Sequence, residues 1–231
     1  MRKIINIIMA TVAVTLVSSC TFVRFDGSSV GKRIVGSGNV GTKSFEISDF
    51  SQIELKVPCD VRYEIVSGEP YAYATGYENI LDILSFEVKG NTLKIKFKGD
   101  FAVIQDGNID IRVGSKSLNA LAVAGSGDFE AENLHSENFS IAMQGSGDVS
   151  INGLNTNSLS ADIAGSGDIK ISGLSGQSAN LAIAGSGDIK LSGKVDEVKA
   201  AIAGSGDIDI KGLKCKNVNS DVLGSGKVIK R

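Results

Sequence analysis

Apolar and polar residues alternate along the second half of the chain, and the alternation keeps step with a recurring Gly-Ser-Gly-Asp turn. A related Gly-Ser-Gly-Asn begins far upstream at Gly36. The successive turns are 20, 20, 20, 19 and 20 residues apart, and the last copy ends in Lys instead of Asp. The turns begin at Gly125, Gly145, Gly165, Gly185, Gly204 and Gly224.

The apolar residues beside these turns recur at fixed offsets, which predicts short strands with one buried face. Val123, Met143, Ile163, Ile183, Ile202 and Val222 stand two residues before each turn. Phe129, Val149, Ile169, Ile189, Ile208 and Val228 stand four residues after each turn begins. This period of two is typical of strands, whereas a helix needs apolar spacings of three and four.

A unit of about 20 residues with two or three short strands cannot bury its inner face alone, but stacked units can. The sequence therefore predicts an all-β fold, a right-handed single-stranded β-helix with rungs about 4.8 Å apart. Residues 116–231 form its regular rungs, and Lys194 breaks one apolar column. Residues 36–115 are predicted to be longer, irregular rungs, with a separate small sandwich as the alternative and a short helix or irregular turn within 78–85.

The last rung departs from the pattern. Lys227 replaces the turn Asp, Lys230 replaces an inward aliphatic residue, and Ser220 stands in a Leu/Ile column. Because the ends of solenoids need polar residues to prevent edge-to-edge growth, we interpret this rung as the C-terminal cap.

Stacking brings the turn carboxylates into one outward column, where neighbours about 5 Å apart repel each other. Hydrogen bonds from backbone N–H groups at the corners offset this repulsion in one interpretation. In the other, the column binds calcium, which prefers hard oxygen ligands. The residues are Asp128, Asp148, Asp168, Asp188 and Asp207.

The N-terminus has the features of a lipoprotein signal peptide over residues 1–19. Arg2 and Lys3 precede an apolar stretch, and Leu16-Val17-Ser18-Ser19 leads into Cys20. This pattern predicts cleavage before Cys20 and its lipidation, with an ordinary secretory signal as the alternative. Residues 20–35 then form a lipidated tether, and residues 36–231 form the folded domain.

Few residues suggest a binding or catalytic site. Tyr71, Tyr73 and Tyr77 form a possible ligand surface, since exposed aromatic rings stack on sugars or partners, although they could instead pack on a neighbouring rung. His135 is predicted to be a solvated loop residue. Cys59 and Cys215 are expected to remain unpaired, although an oxidising compartment would allow a disulfide if they meet.

Composition narrows the function. The net charge of −2 and the absence of a basic patch argue against nucleic acid as a partner. No catalytic residue, no nucleophile motif and no cofactor site is predicted, because the repeated Asp residues are equivalent to each other and the two cysteines have no His nearby in sequence.

The segment from Phe45 to Ile53, the Val57 to Val61 region, Asn91 to Ile95 and the serial Gly-Ser-Gly-Asp turns resemble the head GIN domain family of Bacteroidetes-type lipoproteins, which is also labelled an auto-transporter adhesin domain. The resemblance covers about residues 36–231. It implies a right-handed β-helix, an envelope location and adhesion, and it supplies no catalytic residue.

We therefore expect a non-enzymatic lipoprotein of the cell envelope that serves as a binding or adhesion module for a glycan or protein. It would be lipid-anchored to the outer membrane, on the periplasmic face or the cell surface. A structural scaffold without a specific ligand is the main alternative, and a polysaccharide-acting β-helix enzyme is the other.

Overall fold

The protein is described by a computed structural model covering residues 34–99, 104–105 and 109–230. The predicted signal peptide, Cys20 and nearly all of the predicted tether lie outside the described residues. The described part is almost entirely β-structure, with one short helix.

Nineteen strands and one helical turn make up the described part of the chain. They are β1 (Ile34–Val35), β2 (Val40–Phe45), β3 (Gln52–Leu55), β4 (Asp60–Ile65), β5 (Tyr71–Tyr77), α1 (Glu78–Leu81), β6 (Leu84–Lys89), β7 (Thr92–Phe97), β8 (Ile104–Gln105), β9 (Asp110–Ser115), β10 (Ala120–Gly125), β11 (Phe129–Gly145), β12 (Val149–Gly165), β13 (Ile169–Ser175), β14 (Ser178–Gly185), β15 (Ile189–Lys194), β16 (Glu197–Gly204), β17 (Ile208–Lys214), β18 (Asn217–Gly224) and β19 (Val228–Ile229).

The strands stack in parallel as a β-solenoid of about six turns, so the predicted β-helix is confirmed. On the first face, which precedes each turn, the order is β7, β3, β10, β11, β12, β14, β16 and β18. On the second face, which follows each turn, the order is β9, β4, β11, β12, β13, β15, β17 and β19. The long strands β11 and β12 contribute to both faces.

The inward columns predicted from the periodicity form the core. Residues of successive rungs stand in direct register, as Ile163 does with Ile183 and Val149 does with Ile169. The inward residues of the complete rungs are almost fully shielded from solvent. Burying an aliphatic side chain contributes roughly 1.5–3 kcal/mol, so each rung adds several such increments to the stack.

The rung between Gly185 and Gly204 is one residue shorter than the others, and a β-bulge accommodates the difference. The pairing of β13 with β15 shifts after Ile171, so that Gly193 stands opposite Leu174 and Lys194 remains exposed. Val195 is buried in this region of the core. The predicted place of Lys194 in the leucine column is therefore wrong: the bulge puts Gly193 in that column, between Leu174 and Leu213, and Lys194 stands opposite Ser175 and Lys214.

The N-terminal half departs from the predicted series of rungs. β3 and β4 precede β7 and β9 in the chain, but in the stack they lie between β7 and β9 on one side and the regular rungs on the other. The order of the levels therefore differs from the order in the sequence. β2, β5 and β6 are antiparallel additions: β2 pairs with β5, β5 with β9, and β6 with β7. They belong to the same 17-stranded sheet as the solenoid.

These antiparallel strands and α1 lie beside the first level of the solenoid. Phe45 of β2 contacts Phe86 of β6 with ring centroids 4.2 Å apart, and α1 buries Ile80 and Leu81. β6 pairs with the outer edge of β7, and β5 pairs with the outer edge of β9. The first level of the solenoid therefore has no open strand edge at β7 or β9.

The C-terminal rung is closed only in part. The Lys230 Nζ lies 3.4 Å from the Ser220 Oγ, so the predicted capping residues do contact each other at the end of the stack. Val222 and Leu223 remain 45% and 78% exposed.

From the second turn onward, the turns stack so closely that their glycines have no room for a Cβ. A Cβ at Gly165 would overlap the carbonyl oxygen of Gly145, and a Cβ at Gly167 would overlap that of Gly147. Gly165 also has φ +152°, a backbone conformation that L-residues rarely adopt. The Gly145 carbonyl accepts the Ser166 N–H at 2.9 Å, so this close approach forms hydrogen bonds between rungs.

Replacing these glycines by Ala separates the two constraints. Gly125 has φ +134°, but a Cβ there would meet nothing within 4 Å. We expect Gly125→Ala to lower the free energy of unfolding by about 1–3 kcal/mol, the cost of backbone strain. Gly165→Ala should lower the free energy of unfolding by clearly more, because the clash with Gly145 of the previous rung is added. Chemical denaturation measures both, with exposed Ser166→Ala as a control expected within about 0.5 kcal/mol of the wild type. Equal losses for the two glycines would contradict the stacking constraint.

Candidate ligand-binding surface

Tyr71 and Tyr73 lie side by side on the outer face of β5. Ala72 and Ala74 point into the core between and beyond them, as the strand alternation requires. The two rings are stacked, with centroids 5.4 Å apart and planes 20° apart. The predicted aromatic surface is thus formed by this half-exposed pair.

Tyr77 and Tyr63 are not part of the stacked pair. Tyr77 shares the outer face of β5, but its ring lies against the backbone at Gly36, where a Cβ would overlap it. Tyr63 is buried, and its hydroxyl lies 3.0 Å from the Ser115 Oγ. Of the three predicted tyrosines, the structure brings only Tyr71 and Tyr73 together.

Tyr71 lies over β9 because that strand has a glycine at this point. A Cβ at Gly114 would overlap the Tyr71 ring. The Tyr71 hydroxyl donates a hydrogen bond to the Glu64 carboxylate, which fixes the orientation of the ring. Partial burial, followed by the neighbouring Glu64, raises the pKa of Tyr71 above its usual value, so the hydroxyl remains a proton donor.

A cleft of about 410 Å³ opens beside Tyr71, across the outer faces of β9, β4, β11 and β12. We call it the tyrosine–arginine cleft. Its lining combines two guanidinium groups, three carboxylates and smaller polar groups with the aromatic ring. The polar side chains are Arg62, Arg112, Glu64, Glu130, Glu132, Ser150 and Asn152.

Ion pairs hold both arginines in place. Arg62 binds Asp110 at 2.6 Å and Glu130 at 3.2 Å, and Arg112 binds Asp110 at 3.4 Å. The Asp110 carboxylate raises the pKa of Arg112, which therefore stays charged. Exposed ion pairs contribute only about 0–1 kcal/mol each, so their main effect here is to orient the guanidinium groups.

The turn carboxylates form a hydrogen-bonded ladder along the second face. The Asp148 N–H donates to Asp128 Oδ1 at 2.9 Å, and the Asp168 N–H donates to Asp148 Oδ1 at 3.0 Å. The pattern continues through Asp188 and Asp207 and ends where the Lys227 N–H donates to Asp207 Oδ1 at 2.8 Å. The hydrogen bonds thus join adjacent rungs. We call this column the Asp ladder.

One residue that the repeat does not reveal, Asp60, extends the Asp ladder at its N-terminal end. Asp60 precedes Asp128 in the column and stands in register with Asp110. Desolvation by burial, followed by the charge of Asp128, raises the pKa of Asp60, although the Asp128 N–H partly opposes this by hydrogen bonding. At this end of the column the carboxylates of Asp60 and Asp128 therefore repel each other, and the Asp128 N–H offsets part of that repulsion.

The remaining sequence candidates are placed as follows. His135 is exposed on β11, as predicted for a solvated residue. Cys59 and Cys215 are both free, and burial raises the pKa of the Cys59 thiol to about 12. Cys59 occupies the corner that stacks beneath Gly127.

Within the described ranges, no group of three or more His, Cys, Asp or Glu side chains is arranged to hold a metal ion. In the same ranges, no helix is long and apolar enough to cross a membrane.

The arginines and glutamates of the cleft were missed from sequence. Arg62 and Arg112 are 50 residues apart in the chain and become neighbours only because β4 pairs with β9. Their strands have no Gly-Ser-Gly-Asp turn between them to reveal this register.

Comparison with known proteins gives a consistent family match. The family model described as "Putative auto-transporter adhesin, head GIN domain" matches residues 49–179 and 174–229. A crystal structure of a protein from Parabacteroides distasonis, described as a putative lipid binding protein, is similar with a TM-score of 0.74 and 27% identity, covering 87% of this chain and 100% of that one. A putative adhesin from Bacteroides fragilis has a TM-score of 0.73 and 23% identity, covering 86% and 100%. No curated protein matches the chain.

The Asp ladder makes a prediction that separates hydrogen bonding from calcium binding. Asp168→Asn keeps an oxygen that accepts the Asp188 N–H and removes one repelling charge, so we expect stability equal to or slightly above that of the wild type. Asp168→Ala leaves that N–H without its acceptor and should lower the free energy of unfolding by about 1–2 kcal/mol. Denaturation with chelator and with added calcium is the measurement. Stabilisation by calcium that Asp168→Asn abolishes would instead support the calcium interpretation.

Proposed function

Because the chain belongs to the head GIN domain family of auto-transporter adhesin type, we propose that it is a non-enzymatic, adhesin-like binding protein of the cell envelope whose ligand is a glycan bound at the tyrosine–arginine cleft. The observation that carries this proposal is a polar cleft lined by the ring of Tyr71, on which Tyr73 is stacked.

The chemistry of the cleft suits a sugar. An aromatic ring offers a flat apolar face to the C–H groups of a pyranose, while fixed carboxylate and guanidinium groups hydrogen-bond its hydroxyls. Arg62 and Arg112 are already oriented by Asp110, which reduces the entropy lost on binding. A site held in place before the ligand arrives is typical of binding proteins.

Two other ligand classes fit less well. The Parabacteroides distasonis relative is called a lipid binding protein, but the cleft here has five charged side chains, which disfavour an acyl chain. A folded protein partner needs about 800 Å² of surface on each side, and the core of such an interface is usually depleted of charged residues. The five charged side chains of the cleft therefore also disfavour a folded protein as the ligand.

A non-enzymatic role is supported by how the carboxylates of the cleft are engaged. Glu64 accepts the Tyr71 hydroxyl, and Glu130 binds Arg62. Glycoside hydrolysis uses one carboxyl as a proton donor and another as a base or nucleophile, and these two contacts leave only Glu132 of the three carboxylates in the cleft unengaged.

The envelope location rests on the N-terminal sequence. We propose cleavage before Cys20, lipidation of that residue and attachment of the domain to the outer membrane through the segment that precedes β1.

The cleft makes a prediction that a glycan array can check. Full-length protein should bind at least one class of linear oligosaccharide, and Tyr73→Ala should weaken that binding about tenfold, because loss of a stacked ring costs about 1–2 kcal/mol. Tyr73→Phe keeps the ring and should retain most of the affinity. Titration calorimetry on the strongest array hit measures both, with thermal melting as the folding control. No binding to any array glycan would sink the proposal.

Anchoring and exposure form a second prediction. Cys20→Ser should move the protein from the membrane pellet to the soluble fraction, since no lipid would be attached. Protease treatment of intact cells, with lysed cells as the control, then reports which way the domain faces. Cleavage in intact cells supports adhesion to outside partners, whereas cleavage only after lysis would exclude it and direct the search to periplasmic glycans.

A further inference from the structure

A single column of outward side chains runs along the second face from its first strand to its last. It contains one residue from each of eight adjacent parallel strands, so at about 4.8 Å per strand it extends roughly 34 Å. Its members in spatial order are Arg112, Arg62, Glu130, Ser150, Lys170, Lys190, Asp209 and Ile229. The Asp ladder runs parallel to it.

The space between the two columns is a groove that continues from the tyrosine–arginine cleft. A second cleft of about 410 Å³ lies between the Asp ladder, from Asp148 to Asp207, and the column that contains Lys170 and Lys190. Ser150 lines both clefts, so they meet at that residue. We call the combined feature the axial groove.

The two walls of the second cleft offer complementary hydrogen-bonding groups. On one wall, each Asp uses Oδ1 for the N–H of the next rung, which leaves its second carboxylate oxygen available to accept. On the other wall, Lys170 and Lys190 stand in register and form no ion pair within the described part of the chain. A chain of hydroxyl groups could donate to one wall and accept from the other.

The backbone of the groove argues against a peptide. Extended peptides gain affinity mainly by adding a strand to an open sheet edge. The strands beneath the groove, β12, β13 and β15, each have a parallel partner on both sides, so they offer no open edge. The row of carboxylates also repels a polyanion along its length.

We propose that the axial groove binds a linear, polyhydroxylated glycan that lies along the solenoid axis, with one end stacked on Tyr71 and Tyr73. This inference rests on the proposed function and extends it from a single cleft to a polymer site. The Asp–Lys pair occurs on two adjacent rungs, as Asp168 with Lys170 and Asp188 with Lys190, so the groove offers the same two groups twice at the spacing of the rungs. This repetition suits a ligand that repeats along its own length.

The test is affinity against ligand length. Full-length protein is titrated calorimetrically with linear oligosaccharides of two to eight units, from cello-, xylo- and chito-oligosaccharide series. We expect affinity to rise at least about tenfold from the shortest to the longest member of the series that binds. The double variant Lys170→Ala/Lys190→Ala should abolish most of this gain while leaving the affinity for the shortest ligand unchanged.

A matched control removes two lysines outside the groove. Lys194 and Lys199 are exposed, so Lys194→Ala/Lys199→Ala changes the net charge equally and should keep the full dependence on length. Affinity that does not depend on length, or an equal loss in both double variants, would overturn the axial groove and leave the cleft standing. Dependence on Lys170 and Lys190 without any effect of Tyr73→Ala would overturn the cleft alone, and no binding in any series would overturn both.

Discussion

The structure depends on one close approach, that of the backbone of each Gly-Ser-Gly-Asp corner to the corner beneath it. Both glycines lack room for a Cβ because a carbonyl oxygen of the previous rung occupies that space, as at Gly165 and Gly167. The approach allows the Gly145 carbonyl to bind N–H groups of the next rung. It also fixes the register of the strands on either side, since a corner that is locked in place leaves neither strand free to slip.

This constraint explains why a row of like charges is tolerated. The same corner geometry aims each Asp carboxylate at the N–H of the next Asp, and a charge-assisted hydrogen bond offsets the repulsion between neighbours. It also explains how the row ends. Lys227 can donate its N–H to Asp207, but its side chain offers no acceptor to a further rung, so the pattern that builds the stack stops there.

The regular half of the fold could be predicted because its information is local and repeated. The spacing of the glycines gave the rung length, and the period of two gave the buried columns. The alternation of Tyr71 and Tyr73 likewise predicted their shared face.

The N-terminal half could not be predicted in this way, because no recurring turn marks the level of each strand. Antiparallel and parallel strands share the same alternation, so the pattern cannot distinguish β5 from a rung. The reversal of level between β3 and β7, and with it the meeting of Arg62 and Arg112, follows only from long-range pairing.

Both the fold and the groove depend on corners that are tightly joined although they lie at the surface. Native-state hydrogen exchange of the Asp148, Asp168, Asp188 and Asp207 amides tests this most directly. Exposed turn amides normally exchange after local opening, at a low cost in free energy. The hydrogen bonds between rungs predict instead that these amides are as strongly protected as those of the buried strand residues Ile163 and Ile183. Rapid exchange at the corners, with protection confined to the strands, would contradict the claim that the corners hold the stack together.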